Sequence, residues 1–403
     1  MPRDSSGRND PSSGGVQTGL DRLLADDCAV LRDQRLGLLV HPASVDSRLR
    51  HAATLLHTAA NVDLRCLFGP QHGLRGETQD NMAEWDGFRD PQTGLPAYSL
   101  YGDTRQPTPE QLAGIDTLVI DLQDVGARYY TFIWSVLLCL QACAEAGKRV
   151  VVLDRPNPIG GALRSGNVLD PSFTSFVGMA PIPMRHSLTI GELAFYFCAH
   201  FELGVDLQVI WMDGWRRHMW FDDTGLPWVL PSPNIPTLDT ATVYPGFCLL
   251  EGTELSEGRG TTRPFEIFGA PFIDPARLIN RLEQWSVPGC TFRPLHFEPT
   301  FQKHAGRLCG GAQVHVTDRE RFCSVLCATA ALAAIHELWP DDFRWKQPPY
   351  EYETVKLPID ILAGGERYRR AIEAGRSPDE IAAAWEPDLA LFGAEIQEFQ
   401  HYV

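Results

Sequence analysis

Residues 117–154 read TLVIDLQDVGARYYTFIWSVLLCLQACAEAGKRVVVLD, and this stretch decides the fold. Residues 117–122 and 150–153 are short Leu/Ile/Val-rich runs with little alternation, which suits strands covered on both faces. Between them, residues 131–146 place Phe132, Val136, Leu140 and Cys143 on one helical face. Gly147 follows where a left-handed cap ends such a helix. Strand, crossover helix and strand in this order form a βαβ unit, so the sheet is parallel.

Working outward, residues 36–40, 64–68 and 207–211 have the same strand character. Residues 189–201 are a further crossover helix, with Glu192 three positions after Thr189 as in a capping box. Residues 227–244 hold four prolines and read as an extended connector. Beyond it, residues 246–250, 290–297 and 312–316 have strand character and residues 275–285 and 319–338 helix character, with a helical stretch from 360 to 399. The expected organisation is a polar, disordered tail over residues 1–17, a parallel-sheet α/β domain over 18–235 and a smaller α/β domain over 236–403. A chain of 403 residues is long enough for two or three cores.

Lys plus Arg number 35 against 51 Asp plus Glu, a net charge of −16 that repels phosphate backbones and anionic membranes. Neither nucleic acid nor a membrane is an expected partner. The first 18 residues lack the apolar core of a secretory signal, and no later run has the length of a membrane span, so a cytoplasmic location is expected. The ten cysteines lie mostly in apolar runs and read as reduced, buried hydrophobes. Cys139/Cys143 and Cys323/Cys327 are each one helical turn apart without a Cys-x-x-Cys partner, and His41, His72 and His186 have no ligand spacing. No metal is expected.

Ligands of open parallel sheets bind in loops that leave the carboxyl ends of strands. Three polar segments fall there: Gly69 to Met82, Asp121 to Tyr130, and Asp154 to Gly161. Each has a plain alternative reading, since glycines serve turns and Asp154 and Arg155 can cap a helix or pair with each other. A fourth segment, Glu251 to Glu266, carries carboxylates, arginines and glycines together, a composition from which a glycosidase could draw a carboxylic acid and a second carboxylate. No Gly-x-Gly-x-x-Gly, P-loop lysine or Gly-x-Ser-x-Gly is present, so no nucleotide cofactor or serine nucleophile is indicated. Trp85, Tyr98, Tyr101, Tyr129, Tyr130, Trp134 and Tyr244 near these loops suit the apolar faces of sugar rings, and core packing accounts for them equally well.

Taken in order, Gly69–Gly76, Thr93-Gly94-Leu95-Pro96 with Ser99-Leu100-Tyr101-Gly102, Asp121–Tyr130, Asp154–Gly161, Pro231–Pro236 and Glu251–Glu266 resemble the exo-β-N-acetylmuramidase family, long catalogued as a domain of unknown function. The resemblance runs from about Leu36 to Val316. It implies a Rossmann-like first domain, a smaller second domain and an active site in the cleft between them. The implied activity is release of N-acetylmuramic acid from the non-reducing end of peptidoglycan glycans, as in cell-wall recycling, without a cofactor.

The family pattern has Pro-Glu-His-Gly where this chain has Pro70-Gln71-His72-Gly73, and an amide cannot move a proton. Within the resemblance, Glu254 or Glu257 paired with Glu77, Asp80 or Glu84 are the catalytic candidates. Arg128 and Arg259 are candidates to hold a substrate carboxylate, and His72 to orient the sugar. Gln71, Arg75, Asp121, Gln123, Asp124, Tyr129, Asp154, Arg155, Asn157 and Asn234 complete the binding candidates. The alternative is a carbohydrate-binding or sensing protein in which Gln71 supplies neutral hydrogen bonds.

Overall fold

The computed structural model describes residues 15–80 and 82–403. Its first domain is built on β1 (Arg35–Val40), β2 (Asp63–Gly69), β3 (Phe88–Arg89), β4 (Pro96–Ser99), β5 (Thr117–Asp121) and β6 (Arg149–Leu153). A hairpin of β7 (Ser165–Val168) and β8 (Pro183–Arg185) precedes β9 (Leu207–Ile210). The seven-stranded sheet runs β3-β4-β2-β1-β5-β6-β9 and is parallel except for β3 at its edge. All five residues of β5 are buried, which is why its sequence shows no alternation.

Helices α1 (Gly19–Ala25), α2 (Ala52–Thr58), α3 (Pro109–Ala113), α4 (Phe132–Ala146) and α5 (Ile190–His200) accompany the sheet. Gly147 ends α4 at φ 61°, with its own N–H and that of Lys148 donating to the carbonyls of Ala144 and Cys143. At α5, Thr189 accepts from the Glu192 N–H at 3.3 Å while the Thr189 N–H donates to the Glu192 carboxylate at 3.0 Å, the two arms of a capping box.

The second domain contains α6 (Leu238–Phe247), β10 (Ile267–Ala270), α7 (Pro275–Trp285), β11 (Cys290–Phe297), β12 (Cys309–Val316) and α8 (Ser324–Leu338). The strands form an antiparallel sheet in the order β10-β12-β11. Four helices follow: α9 (Pro358–Ala363), α10 (Glu366–Glu373), α11 (Pro378–Ala383) and α12 (Glu386–Glu395). One hydrophobic core runs from Leu118 and Ile120 on one face of the parallel sheet through α4 to Phe247, Leu332 and Ile361. The other face carries a separate core, with Leu38, Val40 and Val119 against Leu20 and Leu56.

Several expectations are corrected. The extended connector ends at Thr237, which caps α6 by accepting from the Thr240 N–H, so residues 238–244 are helical. Residues 246–250 are not a strand but the end of α6 and a 3-10 turn over Cys248–Gly252. Gly246 lies so close to α8 that a Cβ there would collide with the Ser324 carbonyl oxygen; the run is apolar because a helix crossing buries it on all sides. The helix expected from 319 begins at Ser324, and β10 went unread. Of the tail, residues 1–14 lie outside the described residues, whereas Val16 is buried and its N–H donates to the Thr224 carbonyl.

The chain end returns to the first domain. His401 stacks on Trp211 with ring centroids 4.0 Å apart, and the Tyr402 hydroxyl donates to Asp154 at 2.6 Å. Among the described residues no helix is long and apolar enough to cross a membrane, and no group of His, Cys, Asp and Glu could hold a metal ion.

Candidate active site

The order of the strands reverses between β1 and β5, the place where open α/β sheets usually bind ligands. Here protein fills it. Arg155 clamps Asp121 at 2.5 and 2.8 Å and donates to the Val45 carbonyl, while the Gln123 amide donates to the carbonyls of Asp124 and Pro156. Asp124 accepts from the Gly126 N–H and faces His186 at 3.1 Å. Asn157 donates to the Leu188 carbonyl. Asp154 is fully buried and accepts from Thr189, Gly191 and Tyr402. These strand-end residues hold the loops in place, and the open space lies one layer further out, against the second domain.

That space is a narrow chamber of about 30 Å³, partly open to solvent. The loop after β2 supplies Gln71 and His72, the loop before α4 supplies Tyr129, Tyr130 and Thr131, and the connector supplies Asn234. From the second domain come Tyr244, Glu251, Arg259, Tyr350 and Glu351.

Two carboxyls line the chamber. Glu251 accepts from Arg259 at 2.8 Å and from the Tyr350 hydroxyl at 2.7 Å. Burial pushes its pKa up, but the guanidinium and the two hydrogen bonds outweigh this, so it is held below the usual carboxylate value. Arg259 continues to Glu257 at 3.3 Å, and Glu257 pairs with Lys303 at 2.9 Å, so acid and base alternate through the buried wall. Arg259 Nη1 is buried without a hydrogen-bond partner.

Glu351 has the opposite balance. It is 5% exposed and accepts from the Gln71 amide at 3.1 Å and the Tyr101 hydroxyl at 2.8 Å. Burial dominates those two bonds and raises its pKa to about 7. Glu351 and Tyr352 have φ of 45° and 67°, a left-handed pair without glycine and a local strain of the kind found where side chains are aimed for chemistry. Gln71 is fixed from its other end by the Thr131 hydroxyl, which donates to its oxygen at 2.6 Å. Burial lowers His72 to about 4, so the ring is neutral near pH 7; Nδ1–H donates to the Thr78 carbonyl and Nε2 is left as an acceptor.

Of the catalytic candidates expected from sequence, none lines the chamber. Glu77, Asp80, Glu84 and Glu254 are exposed, and Glu257 reaches the chamber only through Arg259. Arg75 is directed to Asp90 at 2.5 Å. Arg128 is fully buried, donating to the carbonyls of Asn167, Ile182 and Leu362. The Tyr129 hydroxyl meets the Pro245 carbonyl. Gln71, His72, Tyr129, Asn234 and Arg259 are brought together at the chamber. Glu251 belonged to a segment singled out in the sequence but was not selected within it, and Glu351 lies beyond the stretch of the resemblance.

Two carboxyls with pKa values driven apart therefore face one pocket between the two domains. The exo-beta-N-acetylmuramidase NamZ family models match the chain in both halves, the N-terminal one over residues 36–239 and the C-terminal one over 242–402. The protein belongs to that family. It is 45% identical over 387 residues, 96% of this chain and 91% of the relative, to the peptidoglycan beta-N-acetylmuramidase NamZ of Bacillus subtilis (strain 168). Crystal structures of two DUF1343 family proteins from Bacteroides fragilis NCTC 9343 share the fold. One has a TM-score of 0.87 at 34% identity and the other 0.75 at 28%, each covering 96% of this chain and 99% of the other.

Proposed function

We propose that the protein releases β-linked N-acetylmuramic acid from the non-reducing end of peptidoglycan-derived glycans, with Glu351 as proton donor and Glu251 as the ionised carboxylate. The supporting observation is the contrast between Glu351, raised to about 7, and Glu251, held below the ordinary value. Glu351 delivers its proton to the glycosidic oxygen as the bond from that oxygen to the anomeric carbon breaks. Glu251 faces the positive charge that develops on the ring, and a water molecule then forms the new bond to the anomeric carbon and gives up a proton to the carboxylate left on Glu351. In this reading Gln71 moves no proton and orients Glu351, which does.

Asn234, on the pocket wall, donates to the Gln79 carbonyl at 2.6 Å, while Tyr352 meets Glu84 at 3.1 Å and Gln302 meets Asp80. Turnover of a chromogenic β-N-acetylmuraminide tests the assignment. Glu351→Gln and Glu251→Gln each lower kcat by about 10²-fold or more, and near-normal turnover in either removes that residue from the mechanism. Wild-type binding of N-acetylmuramic acid with no turnover supports instead a sugar-binding protein, the reading that Gln71 favours.

A further inference from the structure

On its outer side Glu351 borders a second space, an open groove of about 590 Å³. This is within the range that holds small ligands, and it is the sugar-sized space that Glu351 touches. Phe176 and Tyr352 form an aromatic wall, with ring centroids 6.1 Å apart and nearly perpendicular. Tyr352 is 43% exposed. Across these rings lies Arg105, its guanidinium 4.1 Å from the Tyr352 centroid and 5.9 Å from that of Phe176.

The charge on Arg105 is unlike that of the other arginines near the site. Arg259 is matched by Glu251 and Glu257, and Arg128 is committed to three main-chain carbonyls. Among the described residues Arg105 has no carboxylate within ion-pair distance. Of the two other charged residues lining the groove, Glu351 is held by Gln71 and Tyr101, and Glu353 faces Lys356 at 3.7 Å. On a chain of net charge −16, an anionic substrate is repelled over most of the surface, so a cation without a carboxylate partner on the groove that Glu351 borders weighs heavily. A planar guanidinium anchored by an aromatic ring presents a fork to which a carboxylate can bind through both oxygens.

We propose that Arg105 is the specificity-determining residue that selects a sugar bearing a carboxylate arm, the arm reaching past Glu351 into the groove beside Tyr352 while the ring faces Glu251. This rests on the muramidase reading above, and makes the recognised feature the acid group that distinguishes N-acetylmuramic acid from N-acetylglucosamine. The effect of Arg105 falls on binding and on the choice between substrates.

The test compares wild type, Arg105→Ala and Arg105→Lys on paired chromogenic β-N-acetylmuraminide and β-N-acetylglucosaminide, with calorimetric binding of the two free sugars alongside. Arg105→Ala raises KM for the muraminide about 10-fold or more with kcat little changed, and leaves the glucosaminide constants where they were. Arg105→Lys falls between, because a point charge remains while the fork is lost. An unchanged ratio of the two substrates in Arg105→Ala overturns the proposal. A wild type that turns over neither substrate overturns the hydrolase reading alone. In that case a preference for N-acetylmuramic acid that disappears in Arg105→Ala still supports the role of Arg105, and equal binding of the two sugars by wild type refutes it.

Discussion

The amide nitrogen of Gln71 donates to a carboxylate oxygen of Glu351 across 3.1 Å, joining the loop after β2 to the segment before α9. Where the resembling family has a carboxylate at position 71, a second acid would stand within hydrogen-bond reach of Glu351, and two carboxyls that close cannot both ionise. Gln71→Glu recreates that pair. The pH–rate profile of the variant gains a second ionisation and its alkaline limb moves to higher pH, by about one pH unit or more, as coupled acids titrate together. A profile superimposable on wild type removes Gln71 from the environment of the proton donor.

Tyr101 makes the second bond to Glu351, at 2.8 Å, and this bond favours the ionised form. Tyr101→Phe removes it and pushes the Glu351 pKa further above about 7. The alkaline limb of kcat then moves up by roughly half to one pH unit, the equivalent of one lost hydrogen bond. A merely structural tyrosine would lower stability and leave the limb in place, so melting curves and pH profiles together separate the two roles.

The same acid links stability to pH. Glu351 ordinarily titrates near 4.5 and is raised to about 7 in the fold, so the native state binds the proton more tightly than the unfolded chain. Its contribution is complete below the unfolded value and is lost as pH rises through about 7. His72, lowered to about 4, acts in the opposite sense: its contribution is present above the unfolded value and lost as pH falls through the folded one. Comparison with Glu351→Gln isolates the carboxyl. Denaturant titrations show wild type losing a few kcal/mol relative to Glu351→Gln between pH 5 and pH 8, because holding one proton costs roughly 1.4 kcal/mol for every tenfold fall in proton concentration. A stability difference independent of pH refutes the raised pKa.

Arg128 is a test of burial against recognition. Its guanidinium satisfies carbonyls from three separate segments, two around the β7–β8 hairpin and one in α9. Arg128→Lys cannot reach all three, and each carbonyl left unpaired costs about 1–3 kcal/mol. The expected result is a large fall in melting temperature with KM unchanged in the folded fraction. A raised KM at unchanged stability would place this arginine at the substrate instead.

How much of this was legible depended on whether the deciding signal was local. The strands flanking α4 were readable because burial on both faces leaves uninterrupted apolar runs, and Gly147 marked the helix end by its own backbone requirement. Residues 246–250 were not, since a run buried by a helix crossing looks the same as a buried strand. Within Glu251 to Glu266 the sequence offered several carboxylates with equal claims. Tertiary packing alone turns Glu251 inward beside Arg259 and leaves Glu254 exposed. Glu351 sits in Pro-Pro-Tyr-Glu-Tyr-Glu over residues 348–353, a stretch with no spacing signal, and its strained backbone is visible only in three dimensions.

The bond between Tyr402 and Asp154 bears on how the molecule is made. Asp154 directly follows β6, and its buried carboxyl is satisfied in part by a residue 248 positions further on. During synthesis the parallel sheet can assemble as soon as β9 has emerged, yet Asp154 lacks its Tyr402 partner and Trp211 lies uncovered by His401 until the far end of the second domain has been translated. The first domain therefore gains its last contacts only after the second has been made. A ribosome stalled within α12 would display a first domain with its strands formed and one buried acid still waiting for its hydroxyl.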